Sequence, residues 1–532
     1  MSQLTVFPTK TTFAPGEEVA LVICAASAGS ANVSVSQLGR PVLDRAVSWP
    51  AGRSVVPLVP LAEGGSAVLL QNGETVVAAT ALDVLPEPRS RPRYGFVSDF
   101  TPGRDAGEVA DSARRFHLNV VQFYDWMYRH AELLPPTDEF DDALGRRLSL
   151  STTRAFVAAL REAGSASLGY AAVYGAGADY VEEHPDQVLA ALTGTPYTLG
   201  DFLWIMDLTP GRPWQKHITE QMRTAVHEVG FDGLHLDQYG FPKTAVAADG
   251  SIVDLATELT RFVDCVRDAL PGATLIFNNV NDFPTRATVR SRQDVTYIEV
   301  WPPHDDYDDL VGLVSTARDL APGRPVILAA YLEPFAESTG PESVAAAKLA
   351  LAEVWSAGGH YLLFGEAGGV LVHPYYPKYV TLPERVSAEL ATYTDFAVAT
   401  GDVLYDETLT DVTRSVLGGI NSDVIVDGVP FSTKVEPGTV HVTVRQNTWR
   451  TSVSLIDLRD QHDAHWNVAK VATTPTPEIT IRLRVAAVPE RVVWGSPELG
   501  PGLSPVSTDM DGDFVVVTIP SHDAWSVLVV DH

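Results

Sequence analysis

A chain of 532 residues, 45% hydrophobic and 20% charged, is too long for one ordinary domain and has the make-up of a well-packed soluble protein of about two to four domains. Its 67 acidic side chains outnumber 38 basic ones, and the net charge of −29 repels phosphate backbones and anionic membranes. No nucleic acid and no membrane is therefore expected as a partner, whereas a neutral substrate such as a sugar is compatible.

The N-terminus, MSQLTVFPTKTTFAPGEEV, has no basic region leading into an apolar run, and no stretch of about 18 apolar residues occurs anywhere. As written, the chain is expected to be cytoplasmic; one whose export signal had been removed would read the same and be secreted. Residues 1–88 are short β-like runs: VALVICA (19–25) follows Pro15-Gly16, and Asn72-Gly73 joins two further runs as a hairpin. These predict a small β-sandwich. The stretch LPEPRSRPR (85–93) disfavours helix and ladder alike and marks its boundary. Cys24 lies before that boundary and Cys265 after it, so they read as buried free thiols rather than a disulfide.

From Tyr94 to about residue 400, apolar strands alternate with amphipathic helical segments, the signature of βαβ units. The strands are expected at 94–99, 119–125, 167–174, 232–237, 274–279, 295–301, 325–332 and 360–366. Helical stretches such as TRAFVAALREAG and LATELTRFVDCVRDAL lie between them, with apolar residues recurring at three and four. Eight such units predict a (β/α)8 TIM barrel at 89–400. The connections after strands two and three are long, including 130–145 and 195–214, and they fall on the face where such barrels build substrate grooves. Beyond residue 400 the pattern returns to alternating strands, which predicts a second β-sandwich at 401–532. TDMDGD (508–513) lacks the glycine position and the distal glutamate of an EF-hand and reads as a hairpin turn.

The most informative segment is FDGLHLDQYG (231–240), a strand ending in a carboxylate. His235 and Asp237 share one face, and at the C-terminal rim of a barrel Asp237 becomes a candidate nucleophile; standing alone, the same Asp would simply cap a strand and begin a turn. Strand six places Tyr297, Glu299 and Trp301 on one face, so Glu299 points into the same mouth. A carboxyl beside an aromatic wall suits a general acid, since desolvation raises its pKa, and Trp301 offers a platform for a sugar face. Two facing acids are what double displacement at an anomeric carbon requires, at a spacing of about 5 to 5.5 Å. Asp99, Gln122, Tyr124, Asp125, Tyr174, Asn278, Asn279 and Glu366 fall at or near the other strand ends, and Asp207 lies in the loop segment WIMDLTP. Converging amide, hydroxyl and carboxylate groups suit a polyhydroxylated ligand.

HExxH, CxxC, GxSxG and the glycine-rich nucleotide motifs are missing, so no cofactor and no metal is expected. The acid-rich cluster at His304, Asp305, Asp306, Asp308 and Asp309 reads as a solvated helix N-terminus.

The stretches LNVVQFYDWMYRH (118–130), GFDGLHLDQYG (230–240), YAAVYGA (170–176), MDLTPGRPWQ (206–215), FNNVN (277–281) and YIEVWP (297–302) resemble glycoside hydrolase family 66, the dextranases and cycloisomaltooligosaccharide glucanotransferases. The resemblance implies an immunoglobulin-like domain, a catalytic barrel and a C-terminal antiparallel β-sandwich. It implies Asp237 as nucleophile, Glu299 as acid/base, and Asp125 as a further carboxylate at the −1 sugar. The implied activity is retaining cleavage of α-1,6-glucosidic linkages in dextran or isomaltooligosaccharides, linear or cyclic. Two alternatives stay open: a glucanotransferase that forms or opens cyclic isomaltooligosaccharides, and a non-catalytic glucan-binding protein that keeps the barrel. An α-glucosidase or α-galactosidase of another barrel family also places acids at strands four and six, but QFYDWMYRH favours family 66. Many relatives are longer and secreted, and the missing export signal leads to an expectation of short or cyclic imported substrates.

Overall fold

A computed structural model describes residues 4–532. Its centre is a parallel sheet of β1 (Tyr94–Val97), β2 (Val120–Phe123), β3 (Ala166–Ala172), β4 (Gly233–Asp237), β5 (Thr274–Val280), β6 (Val295–Glu299), β7 (Val326–Ala329) and β8 (His360–Tyr361), each paired with its sequence neighbour. A parallel bridge between Phe96 and Gly365 joins the last segment to the first and closes the ring. Only glycine permits that closure, because a Cβ at position 365 would collide with the Phe96 ring and carbonyl.

All eight expected strands are present, and most leave the ladder before their predicted ends. The residues that peel away, such as Tyr124, Asp125, Trp301 and Tyr331, become the rim. Inside the barrel, Tyr94, Phe96, Leu168, Ile276, Tyr297 and Ile327 pack together in a separate cluster. Outside it, the surface helices bury one stripe each. Leu255–Ala269 starts at Asp254, whose side chain accepts from the Thr257 amide, and buries Leu255, Leu259, Phe262, Val263 and Val266 on one face. Pro341–Ser356 is buried on every side from Ser343 onward, with the barrel beneath it and the C-terminal sheet against its outer face, where His441 meets Glu353.

The N-terminal strands form sheets of three and four strands enclosing a core of Val19, Leu21, Ile23, Val33, Val68 and Leu82. Their hairpin at Asn72-Gly73 sets Asn72 opposite Thr75, with Gly73 at φ +63°. The C-terminal strands form sheets of seven and six, mostly antiparallel, with short parallel pairings at Phe431–Ser432 and at Leu417. Thr508–Asp511 and Phe514–Ile519 pair through a hairpin at TDMDGD, as expected. The acid-rich cluster caps the helix Tyr307–Leu320 through a reciprocal box between Asp306 and Asp309. Cys24 and Cys265 are free thiols, half-buried rather than buried.

Candidate active site

Register alone brings the central residues level. Leu236 of β4 pairs with Phe277 of β5, so Asp237 and Asn278 emerge side by side, and Glu299 of β6 pairs with Val280 two residues further along β5. They open into a cleft of about 470 Å³ at the C-terminal ends of the strands. A larger crevice of about 790 Å³ lies at the opposite end, against the C-terminal sheet. Its buried acid, Glu353, is bound to His441 at 2.8 Å, and Asp319, Glu407 and Asp411 are exposed, so it holds no comparable acid pair.

The Asn278 side-chain amide donates to Asp237 Oδ1 at 2.7 Å and to Glu299 Oε2 at 2.8 Å. Those two oxygens therefore lie no more than 5.5 Å apart, the sum of the two bonds. The remaining oxygens are also held: Tyr170 Oη donates to Asp237 Oδ2 at 2.7 Å and Tyr331 Oη to Glu299 Oε1 at 2.8 Å. Gln238 fixes the frame by donating to the carbonyls of Asn278 and Phe283, both at 3.0 Å.

Burial raises the pKa of both acids above the ordinary carboxylate range. For Asp237 the donors Tyr170 and Asn278 and the Gln238 backbone oppose burial. For Glu299 the neighbouring Asp237 charge adds to burial, and Asn278 and Tyr331 oppose it. Glu299 is thus the member that holds a proton longer. Two neighbouring carboxyls that hold their protons unequally are what a nucleophile and an acid at one site need.

Asp125 sits just past β2 with a left-handed backbone at φ +49°, a conformation that costs a non-glycine residue about 1–3 kcal/mol. The turn presents its carbonyl to Arg146 Nη2 at 2.8 Å and its carboxyl to the cleft, 3.8 Å from the same guanidinium. Burial pushes the Asp125 carboxyl up to about 7, with Arg146 opposing. His235 lies beneath the pair between the rings of Tyr94 and Tyr170, its Nδ1 2.8 Å from Tyr94 Oη. Burial lowers its pKa to about 3, so the floor of the cleft is neutral.

The walls are aromatic. Tyr124 stacks on Tyr376 at 4.2 Å and accounts with Gln122 for one side; Trp301 leans on Tyr331 at 5.9 Å on the other. The long loops expected to build a groove do line it, through His130 and Leu144 after β2 and Leu199 and Phe202 after β3.

Of the residues singled out from sequence, Asp237, Glu299, Asp125, Gln122, Tyr124, His235, Asn278 and Trp301 line this cleft. Five lie off it. Glu366 is buried, paired with Arg104 and bonded to the Ser98 and Asp99 amides. Asp99 accepts from Thr101, Asp207 caps Thr209 and pairs with Arg212 at 3.3 Å, and Tyr174 Oη bridges the Tyr239 amide and the Phe241 carbonyl. Asn279 faces away from the barrel lumen and binds Thr288 and the Tyr297 carbonyl. Of the two neighbouring asparagines, Asn278 is the one that reaches the cleft, as period-two counting from Ile276 requires. The same parity reaches Tyr170 from Leu168 and Tyr331 from Ile327. Arg146 has no such signal, because it arrives on a loop.

Comparison with known proteins agrees with this architecture. The family model for glycosyl hydrolase family 66 matches residues 8–529. A cycloisomaltooligosaccharide glucanotransferase of Niallia circulans is 28% identical over 309 residues, 52% of this chain and 31% of that protein. A dextranase of Streptococcus salivarius is 22% identical over 529 residues, 82% of this chain and 63% of that protein. The chain thus spans about a third of the first relative's length and under two thirds of the second's. Among solved structures, a Paenibacillus cycloisomaltooligosaccharide glucanotransferase complexed with cycloisomaltoheptaose superposes with a TM-score of 0.88 at 19% identity, over 99% of this chain and 100% of that one. With its residues matched from one end to the other, the chain belongs to glycosyl hydrolase family 66.

Proposed function

We propose that the protein is a retaining glycosidase acting on α-1,6-glucosidic linkages of dextran or isomaltooligosaccharides. The observation that carries this reading is the single amide bonded to both carboxyls, which holds one oxygen of each within 5.5 Å of the other. That spacing matches the close carboxyls of retaining enzymes better than the about 6.5–9.5 Å that inverting enzymes keep for a water. In the first step an Asp237 oxygen bonds to the anomeric carbon as the glycosidic C–O bond breaks, and the Glu299 proton passes to the leaving oxygen. In the second, Glu299 takes a proton from water, whose oxygen displaces Asp237. Asp125 accepts hydrogen bonds from hydroxyls of the sugar being transferred, with Arg146 holding its backbone. The linkage follows from the names of the relatives, and the neutral aromatic walls agree with a sugar ligand.

Residues 89–400 carry the chemistry, and we read 1–88 and 401–532 as flanking supports. No helix among the described residues is long and apolar enough to cross a membrane. The net charge of −29 disfavours nucleic acid. A second reading, transfer of the glycosyl group to another sugar hydroxyl, is favoured by the glucanotransferase relatives. Incubation with dextran and with isomaltooligosaccharides of defined length separates the two: linear shorter products indicate hydrolysis, while cyclic or elongated products at early times indicate transfer. If neither wild type nor Asp237→Asn cleaves these glucans and both bind them alike, the proposal fails.

A further inference from the structure

The geometry points to Asn278 as the positioning residue that sets both the spacing and the shared protonation of the acid pair; this inference rests on the proposed retaining mechanism. Three observations converge on it. Both side-chain N–H bonds are committed to the two carboxylates. The amide's own oxygen is buried and accepts no hydrogen bond from any of the described residues. The backbone carbonyl of the same residue is tied to Gln238.

The orphaned oxygen is the informative one. A buried acceptor without a donor is a net cost, and native proteins seldom leave one without a reason. Turning the amide over would not remove the problem, since its oxygen would then face two carboxylate oxygens. The side chain therefore keeps an unfavourable contact on one side in order to hold both acids on the other. A residue that merely filled space would need no amide at all.

The chemistry supplies the reason. Before the first step the pair carries one negative charge, on Asp237, and one proton, on Glu299. When the glycosyl ester forms on Asp237, the proton leaves with the departing oxygen, and the single charge now resides on Glu299. Hydrolysis returns it. The sum is one negative charge throughout, shifted from one side of Asn278 to the other, and an N–H bond faces it in both states without any movement of the protein. Donors fixed in advance at the positions where charge appears are the arrangement that stabilises such steps most effectively.

The test is a pair of variants, Asn278→Ala and the near-isosteric Asn278→Asp, measured against wild type and Asp237→Asn. Each variant removes the shared donors, so both apparent pKa values of kcat/KM against pH move upward, further for Asn278→Asp, and kcat falls by about 10²–10³. A purely structural role would lower Tm and leave the pH profile in place. The protonation is also read without substrate, by ¹³C NMR titration of labelled Asp and Glu carboxyls in each folded variant. Upward movement of two coupled titrations that vanish in Asp237→Asn and Glu299→Gln supports the inference even should the glycan prove to be another. Unchanged titrations in either folded Asn278 variant overturn it, and so does a wild-type pH profile in an enzyme that Asp237→Asn silences.

Discussion

Asp237 and Glu299 leave the barrel two strands apart, yet their nearest oxygens are held within 5.5 Å because both bind one amide. The consequence is a division of labour that substitution can separate. Asp237→Asn removes the proposed nucleophile, and kcat on α-1,6-glucans is expected to fall by at least about 10³. Glu299→Gln is expected to cost about 10²–10⁴ on the same substrates, and far less on an aryl glucoside whose leaving group needs no proton. With that aryl substrate a glycosyl-enzyme accumulates, and mass spectrometry of the intact protein shows the added hexose. Equal losses on both substrate types would contradict the assignment of Glu299 as acid.

The pH dependence follows from the raised values of the pair. The proposed mechanism requires Asp237 ionised and Glu299 protonated. Both values are raised by burial, and that of Glu299 lies above that of Asp237. The profile of kcat/KM is therefore a bell whose acidic limb lies above the ordinary carboxylate range and whose alkaline limb reports Glu299 losing its proton. A profile flat from pH 4 to pH 9 would contradict it.

Asp125 offers a stability test with a definite sign. Its carboxyl is raised from 3.8 to about 7, so between those values the folded chain holds more protons than the unfolded one. Stability is therefore lost as pH climbs through that window, and the penalty persists above it. Asp125→Asn removes the buried charge. Its Tm is expected to match wild type near pH 4 and to exceed it at pH 8 by about 1–3 °C, while activity drops.

His441 and Glu353 form a buried pair between the strand Val440–Gln446 and the helix Pro341–Ser356. Burial works against the imidazolium, and the Glu353 charge outweighs it, raising His441 above its ordinary value. A raised histidine stabilises below its unfolded pKa, and that contribution is lost as pH rises through the folded one. Glu353→Gln is expected to destabilise by about 3 kcal/mol at pH 6, and by less at pH 9. Hydrogen exchange in those two elements, compared at the two pH values, checks it.

In the proposed mechanism Trp301 is a platform and not a reacting group. Trp301→Ala removes an aromatic face beside Tyr331, worth about 1–1.5 kcal/mol. KM for isomaltooligosaccharides is expected to rise roughly tenfold with kcat nearly unchanged. A fall in kcat with KM unchanged would place Trp301 in the chemistry instead.

The barrel was legible because each of its strands is a local pattern: an apolar run, a turn and an amphipathic helix. The acid pair was legible because period two carries a residue to the rim whatever the neighbours are. The same rule, applied to FNN, separates Asn278 from Asn279, which composition alone does not. What could not be read were contacts between distant segments. Glu366 ends an apolar run as Asp237 does, but β8 leaves the ladder at Tyr361, and Gly365 packs on Phe96, which turns Glu366 toward Arg104. Arg146 reaches Asp125 from a loop whose course depends on tertiary packing. Charged loop residues such as Asp207 satisfy their own turns, a use that sequence does not distinguish from binding.

The stereochemistry of the first product tests the paired-carboxyl geometry most directly. Proton NMR of isomaltotetraose cleavage, recorded before mutarotation equilibrates the reducing ends, reads the anomer released. Release of the α-anomer is expected from two displacements through Asp237; initial release of the β-anomer would contradict them.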